Sequence, residues 1–260
     1  MLAQLSTSTL LFLLLAAFFA GFVDSIAGGG GLIQLPALLI GLPKSEIVTV
    51  LGTNKLASIF GTGTAASLYR RQIKTDPRAL FAMAIPAFFG SVGGAMLASQ
   101  IPTKAMRPVV LILLVLVAIY TWLKPDLGKI EELRYTHQRR IYISIFAGII
   151  IGFYDGIFGP GTGSFLMLIL VASLGYAFIS ASAIAKVVNV ATNLGAILVF
   201  GIHGAILWKV GLLLGVANVS GAIFGARLAI KGGSALVRKV FLFVTMALII
   251  KVGVDTFNTF

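Results

Sequence analysis

Long apolar runs fill this chain, and short polar stretches punctuate them. Ten apolar elements are predicted, five before and five after the middle. The first five cover about 8–27, 31–42, 46–69, 78–99 and 104–122, and the second five cover about 140–158, 162–176, 179–201, 208–230 and 235–256. Most approach the roughly 20 apolar residues that a membrane-spanning helix needs. The second element of each half is shorter. Twelve residues rise only about 18 Å, near half of a bilayer core. The only long polar stretch, 123–139, reads as a linker. The predicted organisation is an N-terminal transmembrane repeat over 1–122, that linker, and a C-terminal transmembrane repeat over 140–260.

The halves match in detail. Gly21-Phe-Val-Asp24-Ser-Ile-Ala-Gly28-Gly-Gly30 recurs as Gly152-Phe-Tyr-Asp155-Gly-Ile-Phe-Gly159-Pro-Gly161, 131 residues later and without a gap. At the same offset Lys55 matches Lys186, Gly90 matches Gly221, Gly94 matches Gly225 and Arg107 matches Arg238. Duplicated hydrophobic halves, each interrupted by glycine at the same place, point to a secondary transporter with a site near the bilayer midplane. Each short element follows a glycine cluster, so elements one and two of each half are expected to form a broken or re-entrant pair. Such backbone is tolerated only where it is buried in protein or lines a cavity. Gly90-x-x-x-Gly94 and Gly221-x-x-x-Gly225 are expected to let helices approach closely. Trp122, Trp208, Tyr69 and Tyr120 fall near element ends and read as interfacial anchors.

Composition narrows the class. The chain is 58% hydrophobic and only 11% charged, against about 25% charged residues in ordinary soluble chains. This predicts an all-α polytopic membrane protein. The net charge of +12 sits in loops and suits lipid headgroups and topology rather than nucleic acid. Cysteine is absent, which removes disulfides and thiolate sites. No metal or cofactor is expected. His137 and His203 are read as loop residues that cannot build a metal centre. The first apolar run lacks a basic leader and has a mid-chain copy, so it reads as part of the fold. With an odd number of crossings per half, Lys44, Lys104, Arg107, Lys209 and Lys251 face one side and the other 13 loop cations the opposite side. An even count flattens that split to 11 against 7, so the positive-inside rule favours the odd one. That predicts inverted halves in the inner (cytoplasmic) membrane with both termini outside. Ten spans and six spans plus two hairpins share this parity.

Two cations remain inside elements. Lys55 lies in Gly52-Thr53-Asn54-Lys55, and Lys186 in Ala185-Lys186-Val-Val-Asn189-Val-Ala-Thr-Asn193. A charge at that depth costs a few kcal/mol, so it pairs or faces water. Either the lysines bind or gate an anion, or they snorkel to the headgroups. Asn189 and Asn193 share a helix face, and their first-half counterparts are Ser58 and Thr62. With Thr53 and Asn54 they form a polar stripe that either lines a pathway or supplies interhelical hydrogen bonds. Asp24 and Asp155 precede the breaks. Each either carries a proton in coupling or gating, pairs with Lys55 or Lys186, or caps freed N–H groups. Gly29, Gly30 and Gly31, and Gly161, Thr162 and Gly163, offer backbone N–H groups that attract anions at half-helix N-termini. No catalytic triad, zinc helix or phosphate loop is present, so neither an enzyme nor ATP drive within this chain is expected.

These motifs resemble the sulfite exporter TauE/SafE family, also called TSUP. The likeness rests on Gly21-Phe-Val-Asp24 through Gly31, on Gly52-Thr-Asn-Lys55, and on Gly152-Phe-x-Asp-Gly-x-x-Gly159-Pro-Gly-Thr-Gly163, and it covers nearly the whole chain. The resemblance implies a permease of about eight spans for sulfite, thiosulfate or organosulfonates such as sulfoacetate, usually outward. The second half departs from the first in having Ala185 where the first has Asn54. The expected function is alternating-access transport of such an anion, coupled to protons, sodium or the membrane potential. A homodimer is allowed, and an anion channel or an importer of a related oxyanion or carboxylate is the alternative.

Overall fold

A computed structural model describes residues 6–98, 100, 119, 123 and 128–257. Over these it is all-helical, with eight α-helices and no strand. They are α1 Thr7–Ala27, α2 Gly31–Gly41, α3 Ile47–Gln72, α4 Pro77–Leu97, α5 His137–Ile157, α6 Thr162–Leu168, α7 Phe178–Ile202 and α8 Trp208–Phe257. Local chemistry sets several starts. The Ser6 hydroxyl accepts the Thr9 N–H at 3.1 Å, and Asp76 accepts the Arg78 N–H at 2.9 Å just ahead of α4, which opens on Pro77. Side-chain oxygens there satisfy N–H groups that lack a helical partner.

The nine predicted elements that fall on described residues stand with three corrections. Thr136 caps α5, so His137 lies on a helical first turn and not in a loop, and the polar stretch ends earlier than 139. The short second-half element is not one helix over 162–176. It is α6 followed by a π turn at Ile169–Ser173, closed by Gly175 at φ 82°. The elements at 208–230 and 235–256 are continuous in α8 except at Gly233, whose φ of 61° and ψ of −163° break the ladder between them. The predicted element at 104–122 lies almost wholly outside the described residues. Among the described residues, five helices are long and apolar enough to cross a membrane. Helix α3 is not among them because polar residues lower its hydropathy, yet its 26 residues extend about 39 Å.

Packing exchanges partners between the halves. Helix α1 packs on α8 and α4 on α5, while α3 meets α8 and α4 meets α7. Each pairing maps onto the other under the 131-residue offset. The glycines show why the contact is close. A Cβ at Gly90 would lie 2.4 Å from Ile149 O, and one at Gly221 would lie 1.9 Å from Phe18 O. One turn on, Gly94 would meet Phe153 O at 2.1 Å and Gly225 would meet Phe22 O at 2.3 Å. Ile149 and Phe153 are themselves the repeat-equivalents of Phe18 and Phe22. No side chain fits between these backbones, which is the small-residue packing that membrane helices use.

Two apolar clusters make the core. Helix α3 contributes Val50, Leu51, Leu56 and Ala57 to one and Ala65 and Tyr69 to the other. Helix α7 meets them in the reverse order, placing Ala181–Val188 in the second and Ala196–Phe200 in the first. Ser58 and Thr62 on α3, and Asn189 and Asn193 on α7, fall between the clusters near mid-helix.

Candidate functional site

Both glycine breaks are real interruptions, and they touch. Helix α1 stops at Gly28 and Gly29, with φ of 74° and 102°. Helix α5 stops before Gly159 and Gly161, with φ of 89° and 85°. These left-handed angles suit residues without a Cβ. A Cβ at Gly28 would also sit 2.4 Å from the Gly163 backbone, so the two breaks cross in direct contact. The carbonyls freed there find partners inside the protein, as burial demands. The Tyr69 hydroxyl donates to Ser25 O at 2.9 Å, the Ser182 hydroxyl to Ile26 O at 3.1 Å and the Ser164 hydroxyl to Ala27 O at 3.3 Å. Tyr69 is therefore no interfacial anchor. It is fully buried because its hydroxyl serves the first break. In the second, the Thr162 hydroxyl donates to Gly159 O and that of Tyr154 to Pro160 O.

The matched charges pair crosswise. Lys55 Nζ lies 2.7 Å from Asp155 Oδ2, and Lys186 Nζ lies 3.0 Å from Asp24 Oδ2. Each lysine takes the acid of the other half, and the offset turns one pair into the other. Neither lysine snorkels, since their side chains are 4% and 0% exposed. A buried ammonium needs such a partner, because removing one member of a buried pair costs about 3–5 kcal/mol. The second carboxylate oxygens differ. Asp155 Oδ1 accepts the Thr162 hydroxyl at 2.7 Å, whereas Asp24 Oδ1 accepts the Gly30 N–H at 3.3 Å. Asp24 thus both pairs with a lysine and caps the break.

A small cavity of about 40 Å³ lies where these parts converge. That is room for about three waters at 10–15 Å³ each. Its walls include Asp24, Gly29, Gly31, Asn54, Lys55, Ser58 and Thr62, together with Asp155, Gly161, Thr162, Gly163, Asn189 and Asn193. Asn54 Oδ1 and Asn189 Oδ1 are buried without a hydrogen-bond partner. A buried unsatisfied polar group costs about 1–3 kcal/mol and marks a place where water or a ligand belongs.

Three predicted residues stand off the wall. Gly30 is turned to Asp24 through its N–H, and Lys186 pairs with Asp24. Thr53 donates to Thr49 O at 2.7 Å and accepts the Leu207 N–H at 3.0 Å, so its hydroxyl is spent on tying α3 to the start of α8. Buried polar contacts escaped the sequence, the amide pair between α8 and α2 among them. Asn218 Nδ2 donates to Gln34 Oε1 at 2.8 Å between α8 and α2. Both are amides inside apolar runs, but their repeat-equivalents are Ala87 and Phe165, so the duplication did not point to them. Among the described residues, no group of three or more His, Cys, Asp or Glu is placed to hold a metal ion.

The chain is similar to known membrane proteins along almost its full length. It is 40% identical over 253 residues to a Sinorhizobium protein called "Probable membrane transporter protein ORF9", covering 97% of this chain and 95% of that one. It is 36% identical over 251 residues to "Probable membrane transporter protein YfcA" of Escherichia coli K12, covering 94% and 89%. A Haemophilus influenzae "Probable membrane transporter protein" is 35% identical over 239 residues, covering 92% of each. No solved structure matches. The family described as "Sulfite exporter TauE/SafE" matches residues 13–252. A duplicated all-helical membrane fold, two crossed breaks and a polar cavity between them thus accompany a match over nearly the whole chain, which belongs to the sulfite exporter TauE/SafE family of membrane transporters.

Proposed function

We propose that this chain is a secondary carrier of a small sulfur-containing oxyanion, working by alternating access around the cavity between the breaks. The observation that carries the reading is the cavity wall. It brings Lys55, the amide groups of Asn54, Asn189 and Asn193, whose Nδ2 atoms can donate, and backbone from both breaks to one place. Lys55 on the wall and Lys186 behind Asp24 supply the cationic charge, Asn54, Asn189 and Asn193 supply polar contacts, and Thr162 holds Asp155 in place. Backbone N–H groups at Gly29, Gly31, Gly161 and Gly163 add the dipole of half-helix N-termini. The volume supports the smallest candidates, sulfite and thiosulfate, over sulfoacetate.

The reversed order in which α3 and α7 meet the two apolar clusters supports inverted repeats. Rocking of one half against the other would expose the cavity to each side in turn. Inverted halves agree with an odd number of crossings each and with both termini outside the cytoplasmic membrane. The membrane potential alone is worth about 2.3 kcal/mol per charge per 100 mV.

The test is uptake of radiolabelled sulfite, thiosulfate and sulfoacetate into proteoliposomes. Wild type should show saturable flux, falling from sulfite to sulfoacetate. Lys55→Ala and Lys186→Ala should each lower it at least tenfold while the protein stays monodisperse. Flux that persists in both variants would remove the lysines from the site. Currents far above carrier turnover would replace the carrier by a channel.

A further inference from the structure

We propose that in the empty carrier Asp24 holds, on Lys186, the place of the transported anion, and that it yields this place as a neutral, protonated acid, so that one proton moves with each anion. This rests on the anion-carrier reading above.

Charge balance is the first argument. Lys55, Asp24 and Asp155 line the cavity, Lys186 stands behind Asp24, and the four form two pairs that sum to zero. An anion entering that small space adds a negative charge beside two carboxylates. Low-dielectric surroundings make this costly unless one carboxylate loses its charge. The groups that face Asp24 are Lys186 on α7 and Tyr69 on α3, with the Lys55–Asp155 pair sharing the cavity wall. Of these only Lys186 offers Asp24 a cation in contact, and an incoming anion can take the place of the carboxylate there.

Asymmetry picks Asp24 over its twin. Asp155 has two close contacts, Lys55 at 2.7 Å and the Thr162 hydroxyl at 2.7 Å, and its side chain is only 6% exposed. Asp24 is held by Lys186 at 3.0 Å and by one long 3.3 Å N–H contact, and its side chain is 19% exposed. The cause is one residue. The repeat-equivalent of Thr162 is Gly31, which has no hydroxyl to offer. Asp155 is therefore the more enclosed carboxylate, and Asp24 is the one with a face open to the cavity. Lys186 itself is 0% exposed, so leaving it bare is unfavourable, and Asp24 and the anion must alternate on it. That mutual exclusion ties the proton to the cargo. The proton binds Asp24 from water on the side where the anion enters. It returns to water on the far side when the anion leaves and the carboxylate rejoins Lys186. No bond other than O–H is made or broken.

The experiment uses wild-type and Asp24→Asn protein in proteoliposomes with the potential clamped and a pH dye inside. The probes are thiosulfate and a simple sulfonate, whose charge does not change near neutral pH. Wild type should take up protons with anion at a ratio near one, and its KM should rise with pH by up to tenfold per unit. Asp24→Asn, which leaves Lys186 bare in the empty carrier, should lose net uptake but still exchange internal for external anion, without protons and with a KM that no longer varies with pH. Anion flux without protons in wild type, or the same pH slope in both proteins, would overturn the inference and leave the carrier reading intact. No anion flux from wild type would overturn both. Should Asp24→Asn fail to fold, the wild-type proton-to-anion ratio decides.

Discussion

Replacing Lys55 by Met and Asp155 by Leu, singly and together, tests the crossed pairing most directly. The pair is separated by 2.7 Å, with side chains 4% and 6% exposed. At an effective dielectric constant of about 20 the attraction is roughly 6 kcal/mol. Taking two ions out of water costs several kcal/mol each, so the pair nets close to nothing against an apolar one. Losing one partner is another matter, because the survivor remains buried and uncompensated. Each single change should cost about 3–5 kcal/mol, and the double change should lie near wild type or above it. Thr162 loses an acceptor when Asp155 goes, but its hydroxyl still reaches Gly159 O at 2.6 Å. At about 2–4 °C per kcal/mol, each single variant should melt roughly 6–20 °C below wild type in detergent. The double variant should recover most of that loss while transporting nothing. The reasoning fails if the two losses add in the double variant, since additive residues are not each other's partners.

Three further outcomes follow from the same geometry. Gly93 and Gly94 are neighbours with opposite surroundings. A Cβ at Gly93 meets only Phe153 Cδ2, at 3.8 Å, while one at Gly94 falls 2.1 Å from Phe153 O. Gly93→Ala should therefore stabilise α4 by up to about 1 kcal/mol, and Gly94→Ala should lower the melting temperature sharply and reduce the yield of folded protein. Gly159→Ala would place a methyl group 2.7 Å from Lys55 Nζ and 3.0 Å from Asp155 Oδ1 at a φ of 89°. Anion flux should fall at least tenfold while helical circular dichroism stays normal, and unchanged flux would show that Lys55 has another seat. Tyr69→Phe should leave Ser25 O unpaired, costing about 1–3 kcal/mol in thermal unfolding. A loss under 0.5 kcal/mol, as at a tolerant surface position, would return Tyr69 to an anchoring role.

Much of the site was legible before any coordinates. The duplication named equivalent residues, and charge inside apolar runs singled out Lys55, Lys186, Asp24 and Asp155. Thr53 misled because it adjoins Asn54 in sequence, while successive helical residues point about 100° apart and its hydroxyl serves Leu207 instead. Tyr69 misled because position near a helix end does not say which way the ring points. Gln34 and Asn218 went unseen because neither has a polar counterpart in the other half.

The sequence by itself determined the membrane class, the helical elements, the two breaks and the equivalence of the halves, since each follows from local hydropathy, glycine and a gapless 131-residue match. Only the tertiary structure decided which acid meets which lysine. Asp24 lies 162 residues from Lys186, and Asp155 lies 100 from Lys55. Pairing within a half was equally open to the chain. The choice belongs to packing: α1 against α8 and α4 against α5 interleave the halves and carry each acid to the other half's lysine.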